Sequence, residues 1–187
     1  EANGEATADL PAVRIPAMPH PTVKGTVYME ADERKEIADL VRQGRLIVVY
    51  GQQADATEEQ IARRIGRRLD LPVTSDLMLG TGTSRRGRAV LCVGRPATNR
   101  GCDFLAGTGG LMPEGWPPKN TGVIRWTEEF VFTGTPAVLV AARDEKGLKR
   151  ATDAFIKAFE PGDAKDGETL RVWTGSPFER IFKYDRG

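Results

Sequence analysis

Residues 89–104 read AVLCVGRPATNRGCDF, and this stretch decides the fold. Ala89 to Val93 is a continuous apolar run without polar alternation, the pattern of a strand covered on both faces. Gly94 and Pro96 break the run, and Asn99 is of a residue type that caps helices. The segment TNRGCDFLAG then reads as a helix closed by Gly107. A buried strand that turns tightly into a helix is the unit of a mainly parallel α/β sheet.

The same unit recurs on both sides. Upstream, RLIVVYG (45–51) is another β-branched apolar run, and the loop QQADA leads into TEEQIARRIGRRL (57–69). There Thr57 and Gln60 have capping-box spacing, and Ile61, Ile65 and Leu69 form one apolar stripe. Downstream, PAVLVAA (136–142) runs into RDEKGLKRATDAFIKAF, with Asp144 as N-cap, Leu148, Ala151, Phe155 and Phe159 on one face, and Pro161-Gly162 as the stop.

Between these units the reading is simpler. MEADERKEIADLVRQG (29–44) is a helix carrying Ile37, Leu40 and Val41 and ending at Gly44 in a left-handed cap. LPVTSD is a short strand, and LMLGTGTSRRG and TGGLMPEGWPPKN are surface loops. GVIRW and EEFVFTG, separated by Thr127, read as a hairpin or edge pair of strands. Pro11, Pro16, Pro19 and Pro21 make residues 1–25 an extended arm. The end of the chain, ETLRVWTGSPFERIFKYDRG, reads as a strand and a short amphipathic helix packing Trp173, Phe178 and Phe182.

The expected organisation is therefore an arm (1–25), an α/β domain (26–160) and a C-terminal extension (161–187). The expected fold is α/β, with a mostly parallel sheet and helices on both faces as in flavodoxin and Rossmann folds. To it are added an antiparallel edge pair and extended terminal arms.

Composition narrows the function. The 187 residues carry 27 Lys+Arg against 26 Asp+Glu, so the net charge of +1 points to no polyanionic partner. Arg63, Arg64, Arg67, Arg68, Arg85, Arg86 and Arg88 could make a local basic surface. Without interleaved aromatics they read as a solvated face, Glu59 pairing with Arg63, and nucleic acid is not expected. No apolar run approaches the roughly 18 residues of a transmembrane helix. The first residue is Glu1 rather than Met, which is expected of a processed product or of a piece of a longer polypeptide.

The motifs for chemistry are incomplete. The one histidine, His20, lies in the Pro-rich arm, which leaves no Ser-His-Asp or Cys-His arrangement on a rigid scaffold. Cys92 and Cys102, with nine residues between them, form neither a disulfide framework nor a zinc site, and read as packed thiols or a redox pair. GRPATNRG lacks both the G-x-G-x-x-G pattern and a P-loop lysine, and no G-x-S-x-G elbow is present. No cofactor and no metal are expected. Trp116, in the Gly/Pro-rich loop, is the expected exposed platform for a carbohydrate.

If the strands after which Gly51, Gly94 and Ala142 stand are parallel, their carboxyl ends share one edge, where α/β sheets bind ligands. The candidate ligand-binding residues there are Gln52, Arg95, Asn99 and Asp144, with Gly51, Gly94 and Pro96 as structural corners. Asp55, Asp76, Asp103 and Asp144 are the carboxylates that could meet at that edge.

As a whole, LIVVYG…ATEEQIARRIGRRL…RAVLCVGRPATN…TGVIRW…PAVLVAARDEKGLKRATDAF, about residues 46–159, resembles the α/β domain of S-layer and S-layer-like surface proteins. The resemblance rests on the Gly94-x-Pro96-x-x-Asn99 corner and on Ala141, Ala142 and Asp144 before an Ala-containing helix. Similar corners occur in flavodoxin-like accessory domains of exopolysaccharide and carbohydrate-active systems. In this chain Arg143 stands where a small or polar residue is usual, and the corner has less glycine. The resemblance implies a non-catalytic, extracellular or cell-surface structural domain that assembles with itself or with protein partners through its arms. A ligand-binding accessory domain for carbohydrate, nucleotide or phosphate, and a hydrolase using a carboxylate in the same crevice, are the alternatives.

Overall fold

The computed structural model describes residues 27–79, 88–112, 115–160 and 170–173. The arm (1–25), most of the GTGTSRRG loop with Arg85 and Arg86, Pro161-Gly162, and the expected C-terminal helix with Phe178 and Phe182 lie outside the described residues.

The chain runs β1 (Val27–Glu30), α1 (Ala31–Arg42), β2 (Leu46–Tyr50), α2 (Ala56–Leu69), β3 (Val73–Ser75), a 3₁₀ turn (Asp76–Met78) and β4 (Ala89–Gly94). It continues through α3 (Arg100–Ala106), β5 (Gly122–Phe130), β6 (Thr135–Ala142), α4 (Glu145–Phe159) and β7 (Leu170–Trp173). Seven strands form one sheet in the order β3-β2-β4-β6-β5-β1-β7. β3, β2, β4 and β6 are mutually parallel, as are β5, β1 and β7, and the two blocks meet in an antiparallel β5–β6 pair.

The α/β class with a mostly parallel sheet is as the sequence implies, but the antiparallel pair lies inside the sheet rather than at its edge. GVIRW and EEFVFTG are not two strands. Residues 122–130 form the single strand β5, which absorbs Thr127 through a register shift between Thr127 and Phe130 and turns at 131–134 into β6. β1 was not visible in the sequence, because VYME reads equally well as the start of the helix that follows it. The strand expected near the C-terminus is β7, hydrogen-bonded to β1.

Apolar side chains fill both faces of the sheet. On one face α1, α2 and α4 bury Ile37, Leu40, Ile61, Ile65, Leu148 and Phe155 against Val48, Leu91 and Val140. On the other, α3 and the following loop bury Cys102, Leu105, Leu111 and Met112 against Val49, Val90, Cys92 and Leu139. α2 and α4 are also tied across their exposed sides. Arg64 donates to Asp153 at 2.5 Å, and Arg68 donates to both oxygens of Glu160 at 2.7 and 2.8 Å. Part of the arginine surface is thus paired within the fold, and Arg63 pairs with Glu59 as the spacing implies.

Candidate functional site

Parallel pairing places the carboxyl ends of β2, β4 and β6 on one edge, with Val49 opposite Cys92 and Gly94 opposite Ala141. The three corners therefore lie side by side, followed by α2, α3 and α4. Each helix begins on a side-chain cap. Asp55 accepts from the Glu58 amide, Asn99 from Cys102 and Asp144 from Gly147. The α2 cap is Asp55 and not Thr57, because the helix starts two residues earlier than the capping-box spacing suggests.

Asn99 does more than cap. It is 1 % exposed, and its Nδ2 donates to the carbonyls of Val49 and Val93 at 3.0 Å each, joining the ends of β2 and β4. Gly51 closes the same gap, for a Cβ there would stand 1.8 Å from the Thr98 carbonyl oxygen. Gly94 has φ of +150°, and Pro96 occupies the second position of the Arg95–Thr98 turn. The corner is closed by backbone and an amide, where a phosphate cradle would be open.

Asp76 fills the place of an anion. It is 3 % exposed, and its two oxygens accept from the Gln52 amide at 2.8 Å and the Arg100 amide at 2.9 Å. The Gln52 side chain itself is exposed. Arg95 donates to Glu58 at 2.6 Å and to Asp55 at 3.1 Å, and the bond to Glu58 holds its guanidinium above its ordinary pKa. Thr98 donates to the same Glu58 oxygen at 3.0 Å. Glu58 is 1 % exposed, and its second oxygen, Oε2, has no hydrogen-bond partner.

Gln52, Arg95 and Asn99 thus belong to one cluster around the ends of β2 and β4. Asp144 stands at the next strand end, where its second oxygen accepts from the Asn120 amide at 2.7 Å. Arg143 donates to the Trp116 carbonyl at 3.0 Å, and Trp116 packs on Tyr28 with ring centroids 5.8 Å apart. Trp116 is therefore half-buried rather than an open platform. Asp55, Asp76 and Asp144 each take separate partners, and Asp103 is exposed on α3.

Glu58, Thr98 and the bridging role of Asp76 are the parts that the sequence reading missed. Glu58 had a signal, since it lies three residues before Ile61 on the buried stripe of α2, where a glutamate needs a partner. Asp76 had none, because its partners are 24 residues away on either side.

Two further features bound the chemistry. Burial pushes the Cys92 thiol up to about 12 and that of Cys102 well above its ordinary value, so neither is a nucleophile near neutral pH. Among the described residues no group of three His, Cys, Asp or Glu side chains is placed to hold a metal ion, and no helix is long and apolar enough to cross a membrane. No protein-family model matches the chain, and no curated protein matches it in sequence.

Proposed function

We propose that this chain is a non-catalytic structural or interaction domain of an assembling cell-surface protein, of the S-layer-like kind, that acts outside the cell. One observation carries the reading: the polar groups at the strand ends are occupied by one another. Asp76 holds the amides that an anion would need, Asn99 joins β2 to β4, Arg95 is neutralised by Glu58 and Asp55, and both oxygens of Asp144 accept amides. A ligand would have to displace these bonds, each worth roughly 1 kcal/mol and more where charged.

The carboxylate whose pKa is raised among the described residues also stands away from that edge. Glu33, at the start of α1, is held up by burial, and α1 begins at the opposite end of the sheet because β1 runs antiparallel to β6. A hydrolase would need such a group within the crevice.

The second reading, a ligand-binding accessory domain, is favoured by the unpartnered Oε2 of buried Glu58 beneath Arg95, an acceptor for a ligand hydroxyl or ammonium. The native mass of the full chain, measured by light scattering over a wide concentration range, separates the two. Ordered growth of mass with concentration is expected for assembly. A strict monomer whose melting temperature rises with a sugar or a nucleotide overturns it in favour of the ligand reading.

A further inference from the structure

The β5–β6 hairpin carries an apolar surface that the strand-end site does not use. β5 pairs with β1 only as far as Ile124 and then runs on to Phe130 and the turn. At its tip Val131 is 66 % and Phe132 41 % exposed. Phe132 packs edge-on against Phe104 of α3 and Phe130, with centroids 4.8 and 5.2 Å apart. The surface is therefore a small shelf on the face that α3 covers, held in place by the ring contacts with Phe104 and buried Phe130.

Its rim is acidic. Asp103, Glu128 and Glu129 are exposed beside it and outnumber the exposed Arg100, one turn before Phe104, and none of the three carboxylates has an ion-pair partner among the described residues. Two copies of this surface would bring like charges together, which disfavours a patch-to-patch dimer. The complementary occupant is apolar and basic.

This chain contains such a segment. Residues 174–187, TGSPFERIFKYDRG, place Phe178, Ile181 and Phe182 at i, i+3 and i+4, and their Arg180, Lys183 and Arg186 outnumber Glu179 and Asp185 for a net charge of +1. They follow Trp173 of β7, which pairs with Glu30 at the carboxyl end of β1, the end of the sheet towards which β5 runs out into the hairpin.

We propose that residues 174–187 of one copy dock on the Val131–Phe132 shelf, backed by Phe104 and buried Phe130, of a neighbouring copy. Donor and acceptor are different surfaces of one chain, so the contact is head-to-tail and propagates into a ring or an open array. The proposal rests on the assembly reading and names its contact.

Two full-length variants test it: an acceptor variant, Val131→Ser with Phe132→Ser, and a donor variant, Phe178→Ser with Phe182→Ser. Circular dichroism and the melting temperature verify that each is folded. The expected result is that the wild type grows in mass with concentration, each variant alone stays monomeric, and an equal mixture forms a complex of two chains and nothing larger. Glu128→Lys with Glu129→Lys is expected to weaken wild-type association about tenfold at low salt.

A donor variant that still associates through its hairpin overturns the proposal in favour of a patch-to-patch dimer. A monomeric wild type whose hairpin amides exchange faster in the donor variant overturns it in favour of docking within one chain. If the wild type and both variants associate alike, the proposal fails and the assembly reading stands. A wild type that is monomeric at every concentration, with hairpin exchange unchanged in the donor variant, removes both.

Discussion

Asn99 is the residue on which the strand-end corner depends. Its amide donates to two strand carbonyls and its oxygen accepts a helix amide, all three at a site closed to solvent. Asn99→Ala leaves those three backbone groups without partners, and buried groups left so cost more than the bonds were worth. The loss expected in urea denaturation is about 3 kcal/mol, above the ~1 kcal/mol of a simple lost cap. Asn99→Asp keeps the cap acceptor, because its oxygen still faces the Cys102 amide. It opposes two carbonyls with a charge, so it is expected to be no better than alanine. If Asn99→Ala costs only about 1 kcal/mol, the bridge between β2 and β4 contributes nothing and the residue is a cap alone.

Between elements, Glu33 is the corresponding joint. β5 outruns β1, and the Trp126 amide left facing that gap donates to Glu33 at 2.8 Å, while Arg125 donates to the same carboxylate at 3.0 to 3.2 Å. One side chain of α1 thereby takes the place of the missing strand neighbour. Burial, the largest influence, raises the Glu33 pKa, with Arg125 and the Trp126 amide acting against it. The folded state therefore holds this proton more tightly than the unfolded chain does. The stability that protonation adds is present at acid pH and lost as pH rises through the raised value. Glu33→Gln removes that dependence, so from about pH 4 to 7 the wild type should lose stability relative to the variant. Urea midpoints of both proteins at the two ends of this range measure it, and a constant difference would show that Glu33 is not raised.

The elements themselves were legible wherever one periodicity ran without interruption. The stripe Ile61, Ile65, Leu69 and the runs 46–50, 89–93 and 136–142 fixed α2, β2, β4 and β6, and the caps at Asn99 and Asp144 were readable because capping is local. β1 was hidden by its length of four residues, and β5 was divided in two because a register shift interrupts the alternation on which strand reading depends. In the site, Asn99, Arg95 and Asp144 were legible as residue types at corners. Their partners, Glu58 and Asp76, were not, since hydrogen bonds spanning 24 to 40 positions leave no local pattern.

At the scale of the whole molecule, the described residues cover the two faces of the sheet unequally. Three helices, α1, α2 and α4, cover one face, whereas α3, of seven residues, packs on the other beside a loop. Local opening takes place where least apolar surface must be exposed, so α3 is expected to open before the central strands separate. The two cysteines divide this difference between them. Cys102 lies in the first turn of α3, and Cys92 lies in β4, hydrogen-bonded between β2 and β6. With its pKa at about 12, native Cys92 is ionised to roughly one part in ten thousand at pH 8, so it reacts with an aromatic disulfide reagent only after unfolding. A Cys92→Ser protein, reporting Cys102 alone, is expected to react faster and with a shallow dependence on urea. A Cys102→Ser protein, reporting Cys92 alone, should follow the full urea dependence of global unfolding. Equal rates with equal urea dependence would mean that α3 and the sheet open as one unit, in which case the thinly covered face is as cooperative as the one beneath three helices.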